Sequence, residues 1–473
     1  MKEDIVMEFY NLDDRYNDKP IIIDYRGNLL NKDKYKKINL EIKNNIKKRT
    51  LVFLFCENSI DCISIYISLL NNGIVPVMIS PDLDEELCNN LINIYKPSYL
   101  ILNISMKKQK FDYKKVLSNG DYIFLKTDYY EKHNLSDELA ILLTTSGSTG
   151  SPKLVRQSYK NINSNASAIA KYLELNEYEK PITTLPFNYT YGISVINSHL
   201  LVGATILVTN KSIIQRDFWD FVKKYKATSI AGVPYTYQML KKIRFFDMDL
   251  PYLKTMTQAG GKLLVELHEE FANFALKNDK KFVVMYGQTE ATARMGYLPH
   301  DKSIEKIGSM GISIPNGRFE LVDVDNNIID TPEVIGELVY YGDNVTLGYS
   351  ENIEDLSKDD ERNGRLVTGD MAKFDADGYY YIVGRKKRFL KIFGNRVNLD
   401  EVERILNSQF TENELICSGK DDNMIVYYTK LLDEKILSDF LSDTLHINKS
   451  AFRFKKIKNI PKNESGKILY SKL

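Results

Sequence analysis

The sequence predicts an α/β protein with a large N-terminal domain of two layered α/β sheets plus a small β subdomain, followed by a small, mobile α+β C-terminal domain. Three observations support this prediction. Apolar strands alternate with helical stripes, short extended segments begin near residue 307, and a basic run at 384–388 precedes a further set of strands and helices. We therefore expect an N-terminal domain at 1–386, with its β subdomain at about 307–386, and a C-terminal domain at 387–473.

The first α/β layer is predicted from the pattern of apolar residues before residue 102. Leu51–Phe55 is an apolar strand, after which Ile and Leu recur at helical spacing from Ile60 until Gly73. Val75–Ile79 is the next strand, and a second helical stripe ends before Pro97. This strand–helix–strand alternation predicts a mainly parallel sheet covered by helices on both faces.

The same alternation continues and then changes character. A helix after Ser158, a strand at 205–208, a helix around 218–225 and a strand at 229–231 predict the second α/β layer. Beyond residue 307, alternating runs and an Asp-Gly turn at Asp377 and Gly378 indicate a small β subdomain.

Composition excludes several classes of function. A formal net charge of +1 provides no electrostatic reason to expect nucleic acid or a membrane as partner. The four cysteines include no Cys-x-x-Cys pair and the histidines do not cluster, so neither a zinc site nor a disulfide framework is encoded. The first residues are acidic rather than basic and apolar, and no apolar run reaches the ~18 residues of a membrane span, so we expect a cytoplasmic protein without a membrane span.

A run of glycines and small hydroxyl residues follows the apolar segment Leu139–Leu143. Glycine lets a backbone approach phosphate closely, and Ser and Thr supply N–H and O–H donors. The run is not a P-loop, because Lys153 follows proline and precedes Leu154, and its spacing differs from the dinucleotide fingerprint. The alternative is a flexible linker, although Leu-rich sequence and a Pro-Lys-Leu-Val segment bracket it. The predicted phosphate ligands are Thr145, Ser146, Gly147, Ser148, Thr149, Gly150 and Lys153.

This loop resembles the phosphate-binding signature of the adenylate-forming (AMP-binding) superfamily, which joins acyl-CoA synthetases, peptide-synthetase adenylation domains and luciferase-like ligases. Further segments match the family in order. They are a glycine pair in 258–262, Tyr-Gly-x-Thr-Glu in 286–290, Thr-Gly-Asp in 368–370 and Pro-x-x-x-x-Gly-Lys in 461–467. Each alone is also compatible with an ordinary turn or a solvated lysine. Departures are Leu154, where many members have Gly, and Lys387, where many have Asp.

The resemblance implies a role for each matched residue. Tyr286 would pack on adenine beside the backbone of Gly260, Gly261 and Gly287. Thr289 would contact the α-phosphate, and Glu290 would help to hold Mg²⁺. By the same family pattern, Asp370 would bind the ribose hydroxyls and Arg385 would lie beside the ribose and the phosphate. Lys387 would be the hinge, and Gly394 would flank the pantetheine tunnel. Lys467 would contact the oxygens of the carboxylate and of the α-phosphate.

The implied reaction is ATP-dependent activation of a small carboxylic acid, with transfer to CoA or to the phosphopantetheine of an acyl or peptidyl carrier protein. The acyl pocket is expected at Tyr189, Gly192, Val233 and Tyr235, with further residues near Gly287 and Arg294. The segment at 185–192 lacks the Asp with which amino-acid-activating members pair the substrate ammonium. Because an unpaired buried ammonium is costly, we expect an acid without an α-amino group. Alternatives are an amino-acid adenylation enzyme that loads a carrier protein, and a non-catalytic nucleotide-binding relative.

Overall fold

The structure is a computed structural model that describes residues 8–12, 15–17, 19–108, 111, 113–129, 133–144, 153–393, 395–462 and 468–473. The chain divides into two compact units. One comprises Met1–Arg318 and Tyr340–Leu366, and the other comprises Phe319–Val339 and Val367–Leu473. The second unit therefore includes strands from the predicted β subdomain. The predicted domain boundary at 386/387 marks a hinge about which the C-terminal domain would rotate, and it stays a prediction.

The α-helices of the described residues are α1 (Lys32–Asn45), α2 (Ile60–Asn71), α3 (Glu85–Tyr95), α4 (Tyr159–Tyr172), α5 (Thr190–Leu201), α6 (Arg216–Tyr225), α7 (Pro234–Lys242), α8 (Val265–Lys277), α9 (Leu399–Gln409) and α10 (Glu434–Leu445). Within the part of the chain that is described, no helix is both long enough and apolar enough to cross a membrane.

The strands are β1 (Ile22–Asp24), β2 (Leu29–Leu30), β3 (Leu51–Phe55), β4 (Val75–Ile79), β5 (Tyr99–Asn103), β6 (Lys114–Asn119), β7 (Tyr122–Lys126), β8 (Leu139–Thr144), β9 (Leu154–Ser158), β10 (Pro181–Ile182), β11 (Ile206–Val208), β12 (Ser229–Gly232), β13 (Thr255–Gln258), β14 (Lys281–Tyr286), β15 (Gly296–Tyr297), β16 (Ile312–Ser313), β17 (Arg318–Val322), β18 (Ile328–Ile329), β19 (Gly336–Tyr341), β20 (Gly348–Ser350), β21 (Arg365–Phe374), β22 (Tyr380–Arg385), β23 (Phe389–Ile392), β24 (Asn395–Asn398), β25 (Ile416–Lys420), β26 (Asn423–Tyr428) and β27 (Phe452–Lys456).

The first unit contains two large sheets, as the sequence predicts. Sheet A runs β20-β9-β8-β4-β3-β5-β7-β6, and sheet B runs β16-β15-β14-β13-β12-β10-β11-β1-β2. The inner pairs β3–β4, β3–β5 and β4–β8 of sheet A are parallel, as are the pairs that join β1 and β10–β14 in sheet B. The outer strands are antiparallel.

The core of the first unit is buried on both faces of sheet A. Val52 and Leu54 of β3 pack into one apolar cluster with α2, α5 and β11, whereas Leu51, Phe53 and Phe55 pack into another with α3. Because successive strand residues point to opposite faces, a fully apolar strand requires cover on both sides. The predicted strands Leu51–Phe55 and Val75–Ile79 are therefore confirmed.

Local capping explains where the helices begin and end. The helix predicted after Ser158 begins there with a capping box, in which the Ser158 hydroxyl accepts from the Asn161 N–H and the Asn161 side chain accepts from the Ser158 N–H. Helix α2 ends at Asn71, just before Gly73. Helix α3 ends at Tyr95, with Lys96 in the left-handed conformation before Pro97.

The second unit holds most of a sheet ordered β18-β17-β19-β21-β22, the hairpin β23-β24 and the small sheet β25-β26-β27. Strands β21 and β22 form the predicted Asp-Gly hairpin, because the Asp375 carboxylate accepts from the N–H groups of Asp377 and Tyr379. Beyond the basic run, Phe389–Ile392 and Asn395–Asn398 are the paired strands β23 and β24. Helices α9 and α10 pack with these strands around one apolar cluster.

Candidate active site

The predicted phosphate loop connects two antiparallel strands. In the β8–β9 pair, Leu143 lies opposite Val155 and Thr144 lies opposite Leu154. A P-loop instead connects a strand to a helix. The strand pairing therefore supports the exclusion of a P-loop. The predicted ligands at 145–150 lie outside the described residues, whereas Lys153 at the loop's end is described.

Arg156 on β9 holds the segment 347–361 against sheet A. Its side chain is fully buried and donates to the backbone carbonyls of Leu347, Tyr349 and Lys358 at 3.1, 3.0 and 2.6 Å. It also pairs with the carboxylate of Glu361 at 2.5 Å. The five donors of a guanidinium suit such a set of acceptors, so Arg156 attaches β20 to sheet A.

Tyr349 on β20 lies between two of the predicted site residues. Its hydroxyl donates to Oε1 of Glu290 at 2.7 Å, and the Lys153 Nζ lies 5.7 Å from the centre of its ring. Burial and the adjacent Glu290 raise the pKa of Tyr349 to about 12, so the phenol keeps its proton at neutral pH. The predicted phosphate ligand and the predicted metal ligand are thus brought to one aromatic side chain.

The ion pair of Lys153 leaves this lysine available to another anion. Its Nζ lies 2.5 Å from Oε1 of Glu351, and both side chains are about half exposed. Exposed pairs of this kind contribute roughly 0–1 kcal/mol. A polyphosphate therefore competes readily with Glu351 for this charge.

The backbone of the predicted Thr289–Glu290 segment is firmly held. It forms a short 3₁₀ helix, and the Glu290 carbonyl accepts from the N–H and hydroxyl of Thr346 and from Arg362, each at 3.0 Å. The Thr289 carbonyl accepts from Gln157 on β9 at 3.3 Å. These contacts fix the direction in which the Glu290 carboxylate projects.

The carboxyl ends of β12, β13 and β14 bring the predicted nucleotide and acyl segments to one edge of sheet B. Gly232 pairs with Gln258, and Gln258 pairs with Val284, so the residues that follow these strands are neighbours. Ligands of open α/β sheets bind at such carboxyl edges. Gly260, Gly261, Tyr286 and Val233 all lie there.

Two glycines at this edge permit close approach. A Cβ on Gly260 would lie 2.6 Å from the Tyr189 hydroxyl oxygen and 3.1 Å from Cγ1 of Val233. A Cβ on Gly287 would lie 1.7 Å from the Ala293 carbonyl oxygen, which no side-chain rotation relieves. Both positions therefore require glycine, and Tyr189 and Val233 are in direct reach of the Gly260 backbone.

Two of the four predicted acyl-pocket residues, Val233 and Tyr189, belong to or pack against one apolar cluster, which we call the acyl cluster. Its buried members are Ile169, Leu173, Leu185, Tyr191, Val195, Ala231, Val233, Ala259, Val283 and Met285, with Tyr172, Leu175, Tyr189 and Tyr297 packed against them. Gly192 is the third residue of α5, where a Cβ would lie 2.4 Å from the Pro186 carbonyl oxygen. Tyr235 does not join this cluster, because its side chain is 56% exposed on α7.

In the second unit, β-sheet register brings Asp370 and Arg385 together. They are cross-strand partners in β21 and β22, and the Arg385 Nε lies 2.7 Å from Oδ1 of Asp370. Asp370 is almost completely buried, whereas Arg385 is about half exposed. The Thr368 hydroxyl, two residues before Asp370 in β21, donates to the Leu338 carbonyl of β19 at 2.8 Å and so helps to hold this part of the strand.

The remaining predicted residues belong to the C-terminal part of the second unit. Lys387 is exposed within the 3₁₀ turn Lys386–Arg388. Gly394 and Lys467 lie outside the described residues, but the ends of the segment that carries Lys467 are tied together by a bridge between Lys462 and Ile468. Tyr470 donates to Glu403 at 2.9 Å and lies under Arg388, so the chain after Lys467 is anchored on α9.

The carboxylate of Glu290 fits a magnesium site completed by phosphate. Among the described residues no group of three or more His, Cys, Asp and Glu side chains is arranged to hold a metal ion. Mg²⁺ in nucleotide enzymes is bound through one or two carboxylates and the substrate phosphates. Glu290 is partly exposed beside Lys153 and Tyr349, so it matches that mode rather than an all-protein cage.

A family model described as AMP-binding enzyme matches residues 40–350. The chain belongs to the AMP-binding enzyme family. The resemblance found in the motifs is thereby confirmed, and the matched region contains the phosphate loop, sheet A and nearly all of sheet B.

Curated relatives of this family member include CoA ligases. It is 27% identical over 345 residues to a 2-succinylbenzoate–CoA ligase of Bacillus licheniformis, covering 71% of this chain and 70% of the relative. It is 26% identical to a probable 4-coumarate–CoA ligase 1 of Dictyostelium discoideum, covering 91% of this chain and 86% of the relative.

Solved structures share this fold class over nearly the whole length of the chain. The O-succinylbenzoate coenzyme A synthetase (MenE) of Bacillus subtilis in complex with AMP has a TM-score of 0.79 at 19% identity, covering 99% of this chain and 97% of that chain. ATP-bound MatB from Rhodopseudomonas palustris has a TM-score of 0.78 at 19% identity, covering 98% and 97%. These likenesses confirm the predicted α/β fold class.

Sequence reasoning missed the residues that position this family's motifs in the present chain. Arg156, Tyr349 and Arg362 lie outside the matched motifs, and Tyr349 is separated from Lys153 by almost two hundred residues. Arg156 is the one charged residue of the fully buried strand β9, and a buried charge requires nearby acceptors, but the mixed polar sequence of that strand does not signal its burial.

Proposed function

We propose that this enzyme activates a carboxylic acid with ATP, forming an acyl-adenylate and releasing pyrophosphate, and then transfers the acyl group to a pantetheine thiol. The observation that carries the proposal is the meeting of Lys153 and Glu290 at Tyr349, beside the predicted phosphate loop. When a carboxylate attacks an α-phosphate, the enzyme needs a cation to bind the phosphates and a carboxylate to bind Mg²⁺. The CoA-ligase relatives support the same chemistry.

Each residue has a physical task in this reaction. Adenylation brings a carboxylate to a phosphate, so two anions must be held in line and their charge neutralised. Lys153 and the loop at 145–150 bind the outer phosphates, Tyr286 stacks on adenine, and Thr289 donates to the α-phosphate. Glu290 holds Mg²⁺, which supplies charge neutralisation on the phosphate oxygens. Lys467 neutralises the reacting carboxylate and the α-phosphate.

The second unit supplies the ribose ligand and the thiol step in this proposal. The two carboxylate oxygens of Asp370 suit a vicinal diol. The guanidinium of Arg385 forms an ion pair with this carboxylate and provides a positive charge beside the ribose. Residues after Lys387 rotate between the half-reactions, which turns the Gly394 side inward for the thiol. The acceptor is CoA or the phosphopantetheine of an acyl or peptidyl carrier protein.

The test is carboxylate-dependent release of pyrophosphate from Mg-ATP, measured across aliphatic, aromatic and dicarboxylic acids and amino acids, with and without CoA. We expect release with an acid that lacks an α-amino group, accelerated by CoA. Release that CoA never accelerates would indicate a carrier protein as acceptor. Nucleotide binding without release for any acid or amino acid would contradict the proposal and favour a non-catalytic relative.

The proposed hinge makes a separate prediction. Lys387→Pro is expected to reduce thioester formation at least several-fold more than adenylation, because proline fixes φ where the backbone must rotate. Pyrophosphate release and thioester yield are measured in parallel. Lys387→Ala is the matched control, since it removes the charge and keeps backbone freedom, and both half-reactions should persist. An unchanged thioester yield in Lys387→Pro would refute the hinge.

A further inference from the structure

A buried cation, Arg294, lies against the acyl cluster. Its side chain is 2% exposed, and its Nε donates to the Ser194 hydroxyl at 3.2 Å. Its Nη1 donates to the Tyr172 hydroxyl at 3.0 Å and contacts the Met285 sulfur at 3.4 Å. The guanidinium carbon lies 5.0 Å from the centre of the Tyr191 ring. Three of these neighbours, Tyr172, Tyr191 and Met285, belong to the acyl cluster or pack against it.

Among the described residues, none that contacts this guanidinium carries a negative charge. Its polar partners are two hydroxyls and a thioether, and none of these contacts involves Nη2. His199 is also near, but burial and, to a lesser extent, the charge of Arg294 lower its pKa to about 4, so this imidazole is neutral. Arg294 therefore brings an uncompensated positive charge into an apolar region.

Such a charge is expensive unless something pairs with it. Arginine does not deprotonate in proteins, and an unpaired buried ion is strongly destabilising even after local relaxation. The contact with Tyr191 offsets only part of this cost, because a cation–π contact is weaker than the desolvation penalty of a buried ion. The backbone at Arg294 is nevertheless firmly held, since the Arg294 carbonyl accepts from the side-chain amides of Asn165 at 2.9 Å and of Asn344 at 3.1 Å.

We infer that the acid activated by this enzyme carries a second anionic group, a carboxylate, which pairs with Arg294 beside the acyl cluster. The inference rests on the proposed function and names its substrate class. A planar guanidinium with free donors binds a carboxylate through two parallel hydrogen bonds, which fixes the orientation of the acid. The same charge repels a substrate ammonium, so it selects against amino acids in addition to the missing aspartate at 185–192.

The experiment compares matched acids that differ only at the end remote from the reacting carboxylate. Adipate is paired with hexanoate and suberate with octanoate, together with shorter, longer and aromatic pairs, in the pyrophosphate-release assay with the full-length wild-type enzyme. We expect kcat/KM for the best dicarboxylate to exceed that of its monocarboxylate partner by about 100-fold, as for a desolvated charge pair. This comparison requires no variant.

Variants then assign the preference to Arg294. Arg294→Met keeps the apolar length without charge, and it should lower kcat/KM for the dicarboxylate about 100-fold while leaving the monocarboxylate within a few-fold. Arg294→Lys should retain the direction of the preference, because it keeps a charge but loses the bidentate geometry. Thermal unfolding of each variant checks that the fold is intact.

The outcomes separate this inference from the proposed function. A wild-type enzyme that releases pyrophosphate with monocarboxylates as fast as with dicarboxylates has the proposed function and overturns the inference. Equal loss of both activities in a folded Arg294→Met variant also overturns it, since Arg294 would then be structural. Absence of release with every acid overturns the proposed function itself. A dicarboxylate preference that Arg294→Met abolishes supports both.

Discussion

Lys467→Ala is expected to slow acyl-adenylate formation at least ~100-fold while thiolysis of supplied acyl-adenylate continues at the wild-type rate. The lysine is proposed to act only in the first half-reaction, where its charge contacts the reacting carboxylate and the α-phosphate. Pyrophosphate release measures the first step, and the thioester formed from synthetic acyl-adenylate and thiol measures the second. Because the charge is needed in the transition state, the loss should fall on kcat.

A matched control is Lys472→Ala, which removes another lysine from the C-terminal end of the chain. Lys472 is exposed in the last turn and belongs to no matched motif, so both half-reactions should be unchanged. Equal loss of adenylation and thiolysis in Lys467→Ala would contradict the alternation between two C-terminal orientations. Unchanged adenylation would contradict the role of Lys467.

Arg156→Met is expected to destabilise the first unit by about 3 kcal/mol, lowering the midpoint of thermal unfolding by roughly 6 °C. Methionine fills most of the volume but leaves backbone carbonyls at 347–359 without their donor, and it leaves Glu361 without its partner. The remaining Glu361 is about half exposed, which limits the cost of its unpaired charge. The measurement is differential scanning calorimetry at constant pH and protein concentration.

An exposed ion pair provides the comparison for Arg156→Met. Lys160 and Asp343 lie 2.7 Å apart on the surface of the same unit, so Lys160→Met should cost at most ~1 kcal/mol. Activity gives a second readout, because Arg156 holds the strand that carries Tyr349, and pyrophosphate release should also fall in Arg156→Met. If both variants unfold at the same temperature, Arg156 does not clamp the 347–361 segment.

Much of the fold could be predicted because its determinants are local. The apolar strands β3 and β4 agree with their predicted bounds. The helix after Ser158 begins with a capping box formed by Ser158 and Asn161, which are only three residues apart. The N-terminal segment was not anticipated. Ile22–Asp24 pairs with Ile206–Val208 in sheet B, a contact between segments too distant in sequence for periodicity to reveal.

Part of the candidate site could likewise be predicted from local sequence, and part depends on contacts between distant residues. Motif order identified the chemical groups of an AMP-binding enzyme, and the parallel strands before Val233, Gly260 and Tyr286 explain why those segments lie at one edge. Motifs do not encode which side chains surround a group. The environment of Arg294 and the position of Tyr349 between Lys153 and Glu290 depend on packing across the unit.

By itself, then, the sequence determined the α/β class, the family and the kinds of residue that carry the chemistry, because composition, periodicity and short motifs are properties of neighbouring residues. The tertiary structure alone decided which of these residues meet. The pairing of Asp370 with Arg385 results from strand register, the attachment of β20 from buried Arg156, and the uncompensated charge of Arg294 from the absence of an acid among its described neighbours. Each of these depends on burial and on the proximity of segments that are distant in sequence and come into contact only when the chain folds.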